Sequence, residues 1–92
     1  MEKVRVKVTN EVGLHARPAA RFVSKANEFK SNIQVQNVTK NSKWVNAKSI
    51  LSVLVLGVEK DHEIEIMVEG EDEAEAVKQI MELAKNNFGE NT

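Results

Sequence analysis

Gly13-Leu14-His15-Ala16-Arg17-Pro18-Ala19-Ala20 concentrates the chemistry of this chain. A neutral imidazole keeps one ring nitrogen unprotonated, and its ordinary pKa of about 6.5 leaves that form abundant at neutral pH, so His15 is a competent nucleophile. A phosphoryl group taken up there would bring charged oxygens that need donors. Backbone amides at a helix N-terminus, with the partial positive charge of that end, supply them, and Arg17 can add charge-assisted hydrogen bonds. Pro18 suits the first helical turn, where a missing amide hydrogen costs nothing. It therefore sets the helix start at His15 or Ala16. The residue types alone also admit a plainer arrangement, in which His15 caps the helix and Arg17 is solvated.

The elements that would position this segment are legible as changes of period. Val4, Val6 and Val8 alternate with Arg5 and Lys7 as a strand with one buried face, followed by turn chemistry at Asn10-Glu11-Val12-Gly13. Ala16, Ala19, Ala20, Val23 and Ala26 recur at helical spacing, predicting a helix to about Phe29. Ile33 and Val35 mark a second strand, residues 37–42 a turn, and Lys43-Trp44-Val45 a short edge strand. Residues 46–57 are ambiguous: Val53-Leu54-Val55-Leu56 favours a strand, whereas Gly57 is a good helix stop. Ile64, Ile66 and Val68 alternate with glutamates as a strand. A last helix opens near Gly70-Glu71-Asp72-Glu73, with Ala74, Val77, Ile80, Met81, Ala84 and Phe88 as its apolar stripe. Strands with a single apolar face imply an antiparallel sheet covered by helices on one side.

Composition narrows the function classes. Ninety-two residues, 41% of them hydrophobic, make one domain over residues 1–92. With no cysteine there is no disulfide, thiol nucleophile or cysteine metal site, and His15 and His62 lack metal-ligand spacing, so neither metal nor cofactor is expected. The longest apolar run, residues 50–58, is interrupted by Ser52 and Gly57 and falls short of the roughly 20 residues of a membrane helix. The N-terminus lacks an apolar signal core. These features predict a cytoplasmic protein with no membrane insertion. The net charge of −1 conceals an asymmetry: ten Lys or Arg against three acids in residues 1–50, and three Lys against eleven acids in residues 51–92. A basic face near His15 would draw an acidic partner or an anion.

The segment at residues 13–19, together with Asn46-Ala47-Lys48-Ser49-Ile50 and the apolar run to Leu56-Gly57-Val58, resembles the HPr phosphocarrier family of the bacterial sugar phosphotransferase system over nearly the whole chain. The resemblance implies an α+β open-faced β-sandwich in the order βαββαβα, four antiparallel strands with three helices on one face. It turns the ambiguous segment into the middle helix. It also implies a stoichiometric carrier and not an enzyme: His15 accepts a phosphoryl group on Nδ1 from enzyme I, which is charged by phosphoenolpyruvate. Arg17 and the amides of Ala16 and Arg17 steady the group, and a IIA component of a sugar transporter receives it.

Ser49 matches the serine modified by HPr kinase/phosphorylase, with a LacI-type catabolite regulator as a partner of the modified form. By residue type alone Ser49 is as well read as a helix cap. If Val53 and Leu56 face the core, Ile50, Leu51 and Leu54 emerge near His15 as an apolar patch rimmed by Arg17, Arg21, Lys25 and Lys48, suited to transient acidic partners. The chain departs from the family pattern at Ser52, Trp44, Leu51, Leu54 and a longer turn at residues 38–43. A Ser49-dependent corepressor paralogue is the near alternative, although such paralogues can lack the histidine kept here. A nucleic-acid-binding α+β domain is the alternative from another class, but no GXXG loop or aromatic RNP pattern supports it. A monomer is expected.

Overall fold

The computed structural model describes residues 1–90. Its elements are β1 (Glu2–Lys7), α1 (Ala16–Ala26), β2 (Asn32–Asn37), β3 (Val45–Asn46), α2 (Ile50–Val55), β4 (Glu63–Glu69) and α3 (Glu73–Lys85), followed by a 3₁₀ turn at Asn87–Gly89. The sheet order is β1-β4-β2-β3 and every pairing is antiparallel. This is the expected α+β sandwich, with the buried Val35 and Ile66 and the half-buried Val4 aligned across three strands in one row.

Alternation explains why only one face is covered. Ile33 and Val35 of β2, and Ile64, Ile66 and Val68 of β4, are fully buried beneath Ala19, Phe22 and Ala26 of α1, Val53 of α2, and Ala76 and Ile80 of α3. The opposite face carries Lys3, Arg5, Gln34, Gln36, Glu65 and Met67, and there Arg5 pairs with Glu65 at 3.6 Å. Phe22 and Phe88 meet edge to face with centroids 6.0 Å apart, closing the core beneath the last turn.

The end of the first helix, the extent of the third strand and the apolar stripe of the last helix differ from the sequence expectation, each for a local reason. The first helix ends at Ala26, not Phe29, because the Asn27 side chain donates to the Val23 carbonyl at 2.9 Å and the chain tightens into three-residue turns at Glu28 and Phe29. Strand β3 is Val45–Asn46, with Lys43 and Trp44 outside it. Asn37 spends its backbone groups on Ser42, so the ladder resumes only at Val35↔Val45 and continues through the Ala47 amide to Ile33. The middle helix exists, although its residues favour a strand, and Gly57 ends it with φ +58°. Finally, α3 begins at Glu73, and its buried face is Ala76 and Ile80, supported by Val77, Leu83 and Ala84. Ala74 is exposed and Met81 half-buried; Phe88 reaches the core through left-handed backbone at Asn87 and Phe88 and not as part of the helical stripe.

Candidate functional site

Two loops tied to each other's strands form the walls around His15. At the end of β1, the Val8 amide donates to the His62 carbonyl at 2.8 Å and the Val8 carbonyl accepts from the Asp61 amide at 2.6 Å. The His62 Nδ1 then accepts from the Glu59 amide at 3.1 Å, fixing the turn that enters β4. On the other wall, the buried Asn10 side chain donates to the Gly13 carbonyl at 2.6 Å, and the Leu14 amide donates to the Val58 carbonyl at 3.0 Å. Gly13 has φ +63°, and a Cβ there would fall on the Val58 carbonyl, so this close approach of backbones requires glycine.

The consequence is a fixed platform from which His15 projects. His15 is the residue before α1, with extended backbone (φ −123°, ψ 159°), and its side chain makes no capping hydrogen bond. His15 thus holds the cap position without a side-chain cap, and its half-buried ring has no hydrogen bond or ion pair among the described residues. Ala16 and Arg17 are exposed first-turn residues whose amides have no partner one turn back, while Pro18 is buried and has no amide to satisfy. Ala16 adopts φ +47°, a left-handed conformation costing a non-glycine residue about 1–2 kcal/mol.

An open cleft of ≈ 480 Å³ lies against the ring, lined by Glu11, Val12, His15, Glu59 and Lys60. A smaller adjoining hollow is lined by Glu11, Val12, Arg17 and Glu90. Lys60 donates to Glu11 at 3.1 Å across the cleft walls, and this hydrogen bond, with the attraction between the charges, raises the Lys60 ammonium above its usual range. Glu11, Glu59 and Lys60 were absent from the sequence expectation. The signal that could have found them is the pairing of Lys7 with Glu63, which brings the entry to β4 beside the exit from β1.

The expected basic rim is partly committed elsewhere. Arg21 donates to the Phe88 carbonyl at 3.4 Å, Lys25 pairs with Glu28 at 3.3 Å and Gln79 at 3.1 Å, and Lys48 donates to the Phe29 carbonyl at 2.7 Å. Arg17 has no side-chain hydrogen bond or ion pair among the described residues. In α2, Val53 and Leu56 are buried as expected, and Ile50 and Leu51 are 39% and 72% exposed. Leu54 is half-buried against the core, whereas Val55, not anticipated from the sequence, is 82% exposed. Leu51 and Val55 are one helical turn apart and share the outward face. Ser49 is the cap of α2, its hydroxyl accepting from the Ser52 amide at 3.4 Å. Among the described residues there is no cluster of three or more metal-ligating side chains, and no helix is long and apolar enough to cross a membrane.

Comparison with known proteins places this geometry among relatives. Residues 2–86 match the family model described as the PTS HPr component phosphorylation site. Phosphocarrier protein HPr of Neisseria meningitidis serogroup A is 40% identical over 90 residues, covering 98% of each chain. A multiphosphoryl transfer protein of Haemophilus influenzae is 40% identical over 84 residues, or 91% of this chain, which spans only 17% of that longer relative. The crystal structure of HPr-C-His from Thermoanaerobacter tengcongensis superposes with a TM-score of 0.92 at 43% identity, covering all of both chains.

Proposed function

The chain belongs to the HPr family of the phosphotransferase system, and from that premise we propose that His15 is the residue on which it carries a phosphoryl group between enzyme I and a IIA component. The observation that carries this reading is the uncommitted His15 ring at the opening of α1, beside the unpaired amides of Ala16 and Arg17 and the free Arg17 guanidinium. In the transfer, the unprotonated Nδ1 forms a bond to phosphorus as the bond to the donor's leaving atom breaks. That electron pair departs with the donor, and the ring proton stays on Nε2. Delivery to the IIA component reverses the sense, with the pair returning to Nδ1. The charge on the phosphoryl oxygens is met by the helix-start amides and by Arg17.

Partner contact is assigned to the exposed apolar residues Ile50 and Leu51 and the half-buried Leu54, with Arg17, Arg21, Lys25 and Lys48 as the cations that would meet an acidic partner. Ser49 is a regulatory acceptor in this reading. A phosphate there adds about −1.5 to −2 charges next to Ile50 and Leu51, which opposes docking of enzyme I and suits the kinase/phosphorylase and a LacI-type regulator as further partners.

Incubation with phosphoenolpyruvate and enzyme I is expected to add one acid-labile phosphoryl group, abolished by His15→Ala. Labelling that survives this substitution would remove the assignment. HPr kinase with ATP is expected to give an acid-stable product that slows the first reaction; a phosphate mapped by mass spectrometry to a residue other than Ser49 would overturn the regulatory role.

A further inference from the structure

We propose that Glu11 is a resident anion occupying the cation field of the His15 site, and that Lys60 exchanges it for the phosphoryl group when His15 is charged. The inference rests on the reading of His15 as the acceptor and goes beyond it by adding a second cation and an internal competitor. Three observations converge. Lys60 and His15 line one cleft. Glu11 holds the Lys60 ammonium at 3.1 Å from the opposite wall. Glu11 also lines the adjoining hollow with Arg17, so one carboxylate borders both the cleft that holds His15 and Lys60 and the hollow that holds Arg17.

The walls themselves do not have to move. Residues 10–14 and 58–62 are bound to each other and to β1 through backbone hydrogen bonds, whereas Glu11 and Lys60 are exposed side chains on long stems. A phosphoryl group on His15 would introduce up to two negative charges into the same cleft. Glu11 and Glu59 would be repelled, and Lys60 would gain by turning from a single carboxylate to the more highly charged group. Arg17, with Glu90 across its hollow, serves the other side. The pair is thus a placeholder: it keeps the cleft's charge balanced while the ring is empty and yields a donor when it is filled.

The test uses the full chain phosphorylated by phosphoramidate, a small donor that needs no partner protein, with ³¹P NMR following the ionisation of the phosphohistidine. Lys60→Gln is expected to raise the midpoint of that ionisation and Glu11→Gln to lower it. Each change should correspond to about two- to five-fold in the ionisation constant, the scale of an exposed charge pair. The double variant should titrate with Lys60→Gln alone, because Glu11 acts by occupying Lys60. Both positions are solvent-exposed, so the variants keep the fold. Coincident midpoints with the label on His15 overturn the exchange while leaving the carrier reading intact. A label on any other residue overturns both.

Discussion

Arg17 and Ala16 directly follow His15, the proposed acceptor, and their expected contributions differ. The Arg17 guanidinium has no internal partner among the described residues, so it loses little on turning to a phosphoryl group, and charge-assisted bonds of this kind contribute about 1.5–3 kcal/mol. Arg17→Gln is expected to slow phosphoryl uptake about ten- to hundred-fold while leaving the denaturation midpoint unchanged, as checked by rapid-quench labelling alongside urea unfolding. Ala16 holds φ +47°, where glycine has no steric penalty. Ala16→Gly is expected to stabilise the fold by about 0.5–1 kcal/mol in urea unfolding. The candidacy of His15 and Arg17 is legible in the sequence, because residue type and spacing alone single both out. The backbone at Ala16 is not: alanine is the best helix former, and nothing in its identity announces a left-handed turn. Lys60 was hidden for another reason, lying 45 positions from His15 in the chain and brought near only by strand pairing.

Helix α2 illustrates how an element can exist against its own local preference. Six residues are too few for a self-supporting helix, and Val53-Leu54-Val55 would sit comfortably in a strand by propensity. What holds the segment helical is tertiary: Val53 and Leu56 enter the core, Ser49 caps the start, and Gly57 permits the exit. This is why periodicity left the stretch ambiguous while β4, with its strict alternation of Ile64, Ile66 and Val68, was plain. The same geometry separates two side chains of similar chemistry. Val53→Ala opens a cavity in the core and should cost about 2 kcal/mol in urea unfolding. Leu51→Ala removes an exposed side chain and should leave stability within about 0.5 kcal/mol. Its expected effect is instead on encounter, raising the KM for enzyme I in the labelling assay with little change in kcat. A Leu51 variant that unfolds as easily as the Val53 variant would place that residue in the core and remove it from the docking surface.

Across the whole molecule, part of the charge asymmetry of the sequence is met within the sheet. Two basic residues of β1 face acidic residues of β4, Lys7 opposite Glu63 and Arg5 opposite Glu65. Opposite charges from the two halves of the chain therefore meet across a strand boundary, and the His15 cleft carries acids as well as cations. The sequence total could not reveal this, because charge along a chain acquires a direction only when strands pair. A second long-range tie fixes α3 to the turn before β2: the Asp72 carboxylate accepts from the Ser31 hydroxyl and from the amides of Lys30 and Ser31. The Ser31 hydroxyl bond, followed by the Lys30 amide, holds the Asp72 carboxyl below its usual range. A carboxyl with a depressed folded-state pKa adds stability that is present above the ordinary aspartate value of about 4 and is lost as the pH falls through the lower folded value. Asp72→Asn is therefore expected to lower the urea midpoint relative to the parent at about pH 6, with the difference closing towards about pH 2, where the parent's carboxyl is also neutral. Paired unfolding curves at the two pH values check this. A difference of the same size at both would mean that the clamp works through neutral hydrogen bonds and packing, and that ionisation of Asp72 contributes nothing to holding α3 against the sheet.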